Sequence, residues 1–279
     1  MPIQPYEIGI CSWSVQAKSV PELSRILERL GIDLVQIACG DPVHASWAEG
    51  DGMPEAARSD GFRMSGAMIG FPGEDYATPQ RIKETGGFGN PATRRERLER
   101  LEWALQRTRA LGLDYLMFHG GFLPEPGEPD RKPFLDTLGN AAAMAQRYGA
   151  EVGLETGQET AELLKQTLAD LACPNVKVNF DPANMLLYDM GDPIRAVEIL
   201  GPQIRSVHVK DAKRPTTPGE WGVEVALGEG QVNIRRFVQT LKQVGYQGPL
   251  IIEREAGSQE ARIQDCAAGI QLLRNIVAG

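Results

Sequence analysis

The sequence predicts a (β/α)8 barrel, and three observations predict it. Eight short apolar segments recur along the 279 residues, interleaved with helical ones, an alternation produced by parallel strands with crossover helices. Eight strands close such a barrel, whose usual size is about 250 residues. No linker, low-complexity tract or shift of composition divides the chain, so the reading is of one barrel domain over residues 1–279. An open doubly wound sheet, the competing arrangement, usually carries a Gly-rich turn after its first strand. The stretch "CSWSVQ" at 11–16 has none.

The elements follow in order. "EIGICSW" (7–13) reads as the first strand, and "VPELSRILERLG" (20–31) as a helix with proline near its start and glycine at its end. Strands are predicted at 33–39 and 62–70, a long amphipathic helix at 94–112, and a fourth strand, "DYLMFHG", at 114–120. A helix at 131–148 precedes the fifth strand, "AEVGLET" (150–156), and another at 159–172 precedes the sixth, "VKVNF" (176–180). Then come a helix near 192–200, the strand "IRSVHVK" (204–210), a helix at 234–245, the strand "PLIIERE" (249–255) and a C-terminal helix near 258–277. Two connections, 71–92 and 211–232, are too long for simple turns. Both follow strands, so both belong at the C-terminal face, where long loops act as lids or binding loops. The glycines of "GGFGN" (86–90) lack the lysine and hydroxyl residue of a P-loop, so a phosphate cradle there is weakly supported.

Bulk properties exclude some classes. A net charge of −8 opposes nucleic-acid binding, which needs a basic stripe. The most basic cluster, "TRRERLER" (93–100), interleaves its arginines with glutamates at helical spacing and reads as a solvated helix face. Cys11, Cys39, Cys173 and Cys266 form no C-x-x-C pair, which fits a reducing cytoplasm rather than a disulfide framework. No apolar run of about 18 residues suggests a membrane span, and "MPIQPYEIG" lacks a secretory pattern, so a cytoplasmic protein is expected.

Alternation along the late strands points to chemistry. Val152 and Leu154 oppose Gly153 and Glu155; Val176, Val178 and Phe180 oppose Asn179 and Asp181. Val207 and Val209 oppose Ser206 and His208; Leu250 and Ile252 oppose Ile251, Glu253 and Glu255. With the apolar set under the helices, Glu155, Asp181, His208 and Glu253 point into the barrel mouth from four successive strands. Buried carboxylates facing one another repel and lose hydration, and a divalent cation relieves both. Carboxylate oxygens with one imidazole suit Mn²⁺, Mg²⁺, Co²⁺ or Zn²⁺, the oxygen majority favouring Mn²⁺ or Mg²⁺. A strand-end acid is more often a helix cap, and Pro182 at a first helical position would make Asp181 one. Spacing alone supports the two readings equally.

The ordered set "GLETG", "NFDPANM", "SVHVKDAK" and "PLIIERE" resembles the sugar phosphate isomerase/epimerase family, which has the xylose isomerase-like TIM barrel and is related to endonuclease IV. The similarity runs from "IGICSW" through the final strand. It implies one divalent metal, Mn²⁺ favoured, on Glu155, Asp181, His208 and Glu253, with Glu155 and Glu253 as a catalytic acid/base pair. Glu253 is preferred to Glu255 as the last ligand. The implied reaction is isomerisation or epimerisation of a ketose or sugar phosphate through an enediolate. The alternatives are a lyase or dehydratase of keto-sugars or keto-inositols, and a sugar-binding barrel without catalysis. Asn184 stands where the epimerases often place a substrate-binding histidine, and Gln36 where their second strand often ends on glutamate. Endonuclease activity is excluded, because it needs many histidine ligands and this acidic chain has only His44, His119 and His208. Substrate contacts are expected from Trp13, His119, Asn184, Lys210 and Gln231, with Trp221 as a further loop candidate. Asn179 is expected to support the site from below, and His44 reads as a polar loop residue. The expected partner is a small sugar, with no nucleic acid or membrane, and a homo-oligomer is compatible with the fold.

Overall fold

Strands that carry apolar residues on one parity and mixed residues on the other must bury both faces, one under helices and one inside a closed barrel. The computed structural model describes residues 6–40 and 46–278 and shows that closure. Eight parallel strands form the ring: β1 (Ile8–Cys11), β2 (Leu34–Ala38), β3 (Arg63–Met68), β4 (Tyr115–Phe118), β5 (Glu151–Glu155), β6 (Val176–Phe180), β7 (Ile204–Val209) and β10 (Leu250–Ile252). β10 pairs with both β7 and β1. A separate antiparallel pair, β8 (Asp211–Lys213) and β9 (Val223–Val225), projects from the loop after β7.

The helices are α1 (Val20–Leu30), α2 (Met53–Asp60), α3 (Pro79–Thr85), α4 (Arg94–Ala110), α5 (Arg131–Arg147), α6 (Ala161–Leu171), α7 (Pro182–Leu187), α8 (Pro193–Leu200), α9 (Ile234–Gln243) and α10 (Gln259–Ala278). α1 shows why they form. Ser19 accepts the N–H of Glu22, Pro21 lies in the first turn, and Gly31 ends the helix at φ 66°. Val20, Leu23, Ile26, Leu27 and Leu30 then make one buried stripe. No helix among the described residues is long and apolar enough to cross a membrane.

The eight predicted strands all lie on observed ones, the sixth with the same bounds and the others with ends trimmed by up to three residues. Three short helices and the hairpin escape the sequence reading. α2, α3 and α7 span eight, seven and six residues, too few to display a helical period. A second correction concerns 93–100. Arg94 and Arg97 are buried, and their guanidinium groups donate to the carbonyls of Phe88 and Thr85 at 2.8 and 2.5 Å. Arg97 also donates to the Gly87 carbonyl. Only the outer residues, such as the Arg95–Glu99 pair, form a solvated face. The buried arginines brace the long loop after β3 because long cationic side chains bury their stems while their forks find oxygen acceptors.

That bracing explains the glycines of 86–90. A Cβ at Gly87 would stand 2.1 Å from the Gly120 carbonyl carbon, so glycine here permits two mouth loops to touch. The Gly87 N–H goes to Glu74 Oε1 at 2.8 Å, that of Phe88 to the Gly120 carbonyl at 2.8 Å, and that of Gly89 to Gly86 at 3.1 Å. These amides cradle no phosphate, because each already has an acceptor.

Inside the ring, Leu34, Met68, Tyr115, Met117 and Ile251 pack together, while Val152, Leu154, Val178, Val207, Val209 and Ile252 join the outer core beneath the helices. The parity read from the late strands therefore holds. The Tyr115 ring fills the floor, in space that Gly66 and Gly153 leave: added Cβ atoms would lie 2.7 Å from its Cδ1 and 2.0 Å from its Oη. The hydroxyl has no hydrogen-bond partner among the described residues. Gly153→Ala should therefore lower stability in denaturant titrations by about 1–3 kcal/mol through overpacking. Placing it on Tyr115→Phe should recover part of that loss.

Candidate metal centre and active site

Each late strand ends by turning one polar side chain into the mouth. Glu155 closes β5 and His208 lies on β7, while Asp181 and Glu253 directly follow β6 and β10. Ligand atoms of all four lie within 4.8 Å of one another, and all four side chains are buried. His208 Nδ1 faces Glu155 Oε1 at 3.0 Å, Glu253 Oε2 at 3.5 Å and Asp181 Oδ2 at 3.8 Å.

Asp181 is the helix cap that one sequence reading expected, and it makes that cap with a single oxygen. Oδ1 accepts the N–H groups of Ala183 and Asn184 at 2.8 and 3.0 Å, capping α7 with Pro182 in the first turn. Oδ2 is buried without a hydrogen-bond partner and points at the other ligands. Its backbone is clamped as well. The Thr156 hydroxyl accepts from the Asp181 N–H and donates to its carbonyl, at 2.8 and 2.9 Å.

His208 is oriented from behind. Gln36 Oε1 lies 2.6 Å from Nε2, and Gln36 Nε2 donates to Ser206 at 3.3 Å. An amide oxygen only accepts, so Nε2 carries a proton and Nδ1 is turned to the carboxylates. Sequence reasoning noted Gln36 only as a departure from relatives. The available signal was its place as the one polar residue of β2, "LVQIA".

The candidate substrate residues divide. His119 Nε2 lies 3.2 Å from Glu155 Oε2. Asn184 Nδ2 donates to Glu155 Oε1 at 3.2 Å, and its Oδ1 accepts from Lys210 at 3.4 Å. Lys210 also donates to Glu253 at 2.9 Å and Glu255 at 2.5 Å. Trp13 Nε1 donates to Glu253 Oε1 at 2.6 Å. Gln231 does not join them: its side chain accepts the Arg214 N–H at 2.8 Å, on an exposed part of the loop. The hairpin had to be known before that direction was readable. Asn179 is buried below Asp181, yet neither amide atom has a hydrogen-bond partner among the described residues, so it supplies no hydrogen-bonded support. Glu255 is 43% exposed and outside the four-residue group, which leaves Glu253 as the acid within ligand distance. His44 lies outside the described residues.

Above the cluster opens a pocket of about 320 Å³. His119, Asn184 and Lys210 line its floor, and Tyr76, Tyr188 and Trp221 wall it. Tyr76 and Trp221 come from the two long loops, which meet where Trp221 Nε1 donates to the Tyr76 carbonyl at 3.2 Å.

The profile of one family, described as "Xylose isomerase-like TIM barrel", matches residues 24–276. The chain belongs to that family. It is similar to a solved xylose isomerase domain protein from Planctomyces limnophilus, at 31% identity over 98% of this chain and 97% of the other, with a TM-score of 0.86. It is also similar to the L-ribulose-5-phosphate 3-epimerase of Escherichia coli, 29% identical over 60% of this chain and 59% of that one. The chain thus spans about three fifths of the curated relatives it matches. A xylose isomerase-like barrel from Mycobacterium smegmatis, solved in complex with magnesium, shares the fold at 15% identity, with a TM-score of 0.70 and 98% and 96% of the two chains covered.

Protonation in this xylose isomerase-like barrel shows whether the residues fit a cation. Burial pushes the Asp181 carboxyl up to about 6, against the opposing pull of Lys210 and His208. Burial also acts against ionisation of Glu253, but Lys210 and His208 beside it hold its carboxyl well below the usual range. Burial works against charge on His208 too; Cys11, Glu253 and Glu155 nevertheless raise it well above the usual imidazole range. With no cation there, these neighbours favour a protonated imidazole whose Nδ1 faces the carboxylates. An unpartnered carboxylate oxygen, two further carboxylates and an imidazole nitrogen turned inward form a donor set that fits a divalent metal ion.

Two outcomes follow. Because His208 must lose its Nδ1 proton to ligate, metal affinity should fall as pH is lowered, and binding should release protons, measurable by calorimetry in buffers of different ionisation enthalpy. Asp181→Asn should keep the α7 cap, since asparagine caps equally well, and so keep the metal-free melting temperature. It should weaken Mn²⁺ binding at least roughly tenfold in a chelator competition.

Proposed function

We propose that this barrel is a divalent-metal-dependent isomerase or epimerase of keto sugars. One observation carries the reading. Glu155 and Glu253 come from β5 and β10, which flank β6 and β7 in the ring, so the two carboxylates approach the cluster from different sides. A small ketose seated in the pocket would present the carbon beside its carbonyl between them. Its kinship with a ribulose-phosphate epimerase supports the same reaction class.

Glu155, Asp181, His208 and Glu253 are the residues that would hold the metal, Mn²⁺ being favoured by the oxygen-rich donor set and Mg²⁺ by the magnesium complex of a like-folded protein. When bound, the cation supplies Lewis-acid polarisation of a carbonyl and its neighbouring hydroxyl. One glutamate removes the proton from the adjacent carbon, and the other delivers a proton to the opposite face, giving the epimer; delivery to the neighbouring carbon gives the isomer. Asn184 and His119 hold Glu155 from the substrate side, and Trp13 and Lys210 hold Glu253, so both carboxylates keep fixed positions. Tyr76, Tyr188 and Trp221 wall off water.

The Mn²⁺-loaded protein in D₂O should place deuterium on the carbon beside the carbonyl of a keto sugar. Glu155→Gln and Glu253→Gln should each reduce that exchange by about 10²–10⁴-fold. An unsaturated or deoxy-keto product would identify a lyase instead, and absence of exchange across free and phosphorylated ketoses would remove the catalytic reading.

A further inference from the structure

We infer that the pocket accepts a neutral polyhydroxy carbonyl compound, an unphosphorylated sugar, and discriminates against the corresponding terminal phosphate. The inference rests on the function proposed above and names the substrate class of that same site.

Phosphate sites in (β/α)8 barrels are frequently built from backbone N–H groups in the loops after the seventh and eighth barrel strands. Here the loop after β7 is closed around an anion of its own. Asp211, only 2% exposed, accepts the N–H groups of Gly228, Gly230, Val232 and Ala212 at 3.0, 3.0, 3.1 and 3.0 Å. A Cβ at Gly230 would fall 2.1 Å from Asp211 Oδ1, so the carboxylate lies directly against the amides that a phosphate would need. The other Gly-rich mouth loop is closed the same way, with the Gly87 N–H on the Glu74 carboxylate.

Side-chain cations are equally committed. Lys210 is the one lysine or arginine among the described pocket-lining residues, and it is held between Glu253 and Glu255. Behind it, Arg254 is paired with Glu224 and Asp265 at 2.7 and 2.8 Å. Arg262, at the rim, spends its fork on the carbonyls of Gly257, Trp13 and Glu255. The segments outside the described residues, 1–5, 41–45 and 279, contain no lysine or arginine.

Charge completes the case. A divalent ion leaves one of the three ligand carboxylates uncompensated, and Lys210 offsets that one. Glu255 still lines the outer pocket, beside Glu224, which shares Arg254 with Asp265. A phosphate monoester brings a further charge of about −1.5 to −2 at neutral pH, into a space where, among the described residues, the one lysine or arginine is already held by two carboxylates. A neutral sugar meets suitable surfaces instead. The floor is polar, the walls are aromatic, Tyr188 and Trp221 stand with ring centroids 4.7 Å apart, and about 320 Å³ suits a small ligand.

The test uses the Mn²⁺-loaded protein and a panel of free ketopentoses and ketohexoses, each paired with its terminal phosphate. Calorimetric binding and deuterium exchange in D₂O are measured on the same samples. At least one free ketose should bind about tenfold or more tightly than its phosphate, a difference well above titration error. Tighter or equal binding of the phosphates, with exchange, would overturn this inference and leave the proposed reaction standing. Preference for a free ketose without exchange would uphold the inference and overturn the reaction. Binding of neither class would overturn both.

Discussion

Three carboxylates and an imidazole share the closed mouth of the barrel, and the surrounding structure answers the electrostatic problem they create. Like charges buried this close cannot all stay ionised without a compensating cation. Lys210 compensates from one side, and His208, whose imidazole the carboxylates raise well above its usual range, faces them from the middle. The donors around them, Trp13, Asn184 and the amides at the start of α7, hold one oxygen of each carboxylate in place without neutralising it. For the divalent ion proposed above, such an arrangement sets up the attraction before the ion arrives and leaves the ligands little reordering to do.

The outer structure serves that centre through the two long loops. Arg94 and Arg97 of α4 fasten the loop after β3 by its carbonyls, and Asp211 fastens the loop after β7 by its amides. One loop is held by buried cations, the other by a buried anion, and both deliver aromatic rings to the pocket. In the proposed reaction, aromatic walls over a charged floor would keep water from the carbon that exchanges its proton. The fastening of the loop after β7 occupies backbone amides that could otherwise face an anion.

Much of this was legible in the chain. The count and spacing of strands follow from apolar alternation, which depends only on neighbouring residues. The direction of Glu155, Asp181, His208 and Glu253 follows from parity, because a strand's period of two is rigid. Short helices such as α7 were not legible, since six residues cannot show a period of 3.6. Nor were the buried arginines of α4, whose charge pattern matches that of a solvated face. Their burial depends on carbonyls of residues 85–88, and the folded loop alone turns those inward. Gln231 was misplaced for a related reason: β8 and β9 redirect the chain, and the alternation rule has no hold on a loop.

The sequence by itself determined the barrel, the four strand ends that face its mouth and the acid-rich character of the donor set. These rest on local periodicities that the backbone enforces wherever the chain lies. Only the tertiary structure decided that Asp181 caps a helix with one oxygen and offers the other, that Gln36 turns His208, and that Asp211 fills the anion-binding loop. Each of these depends on which atom of a side chain meets which distant partner, and that is set by ring closure and packing across the barrel.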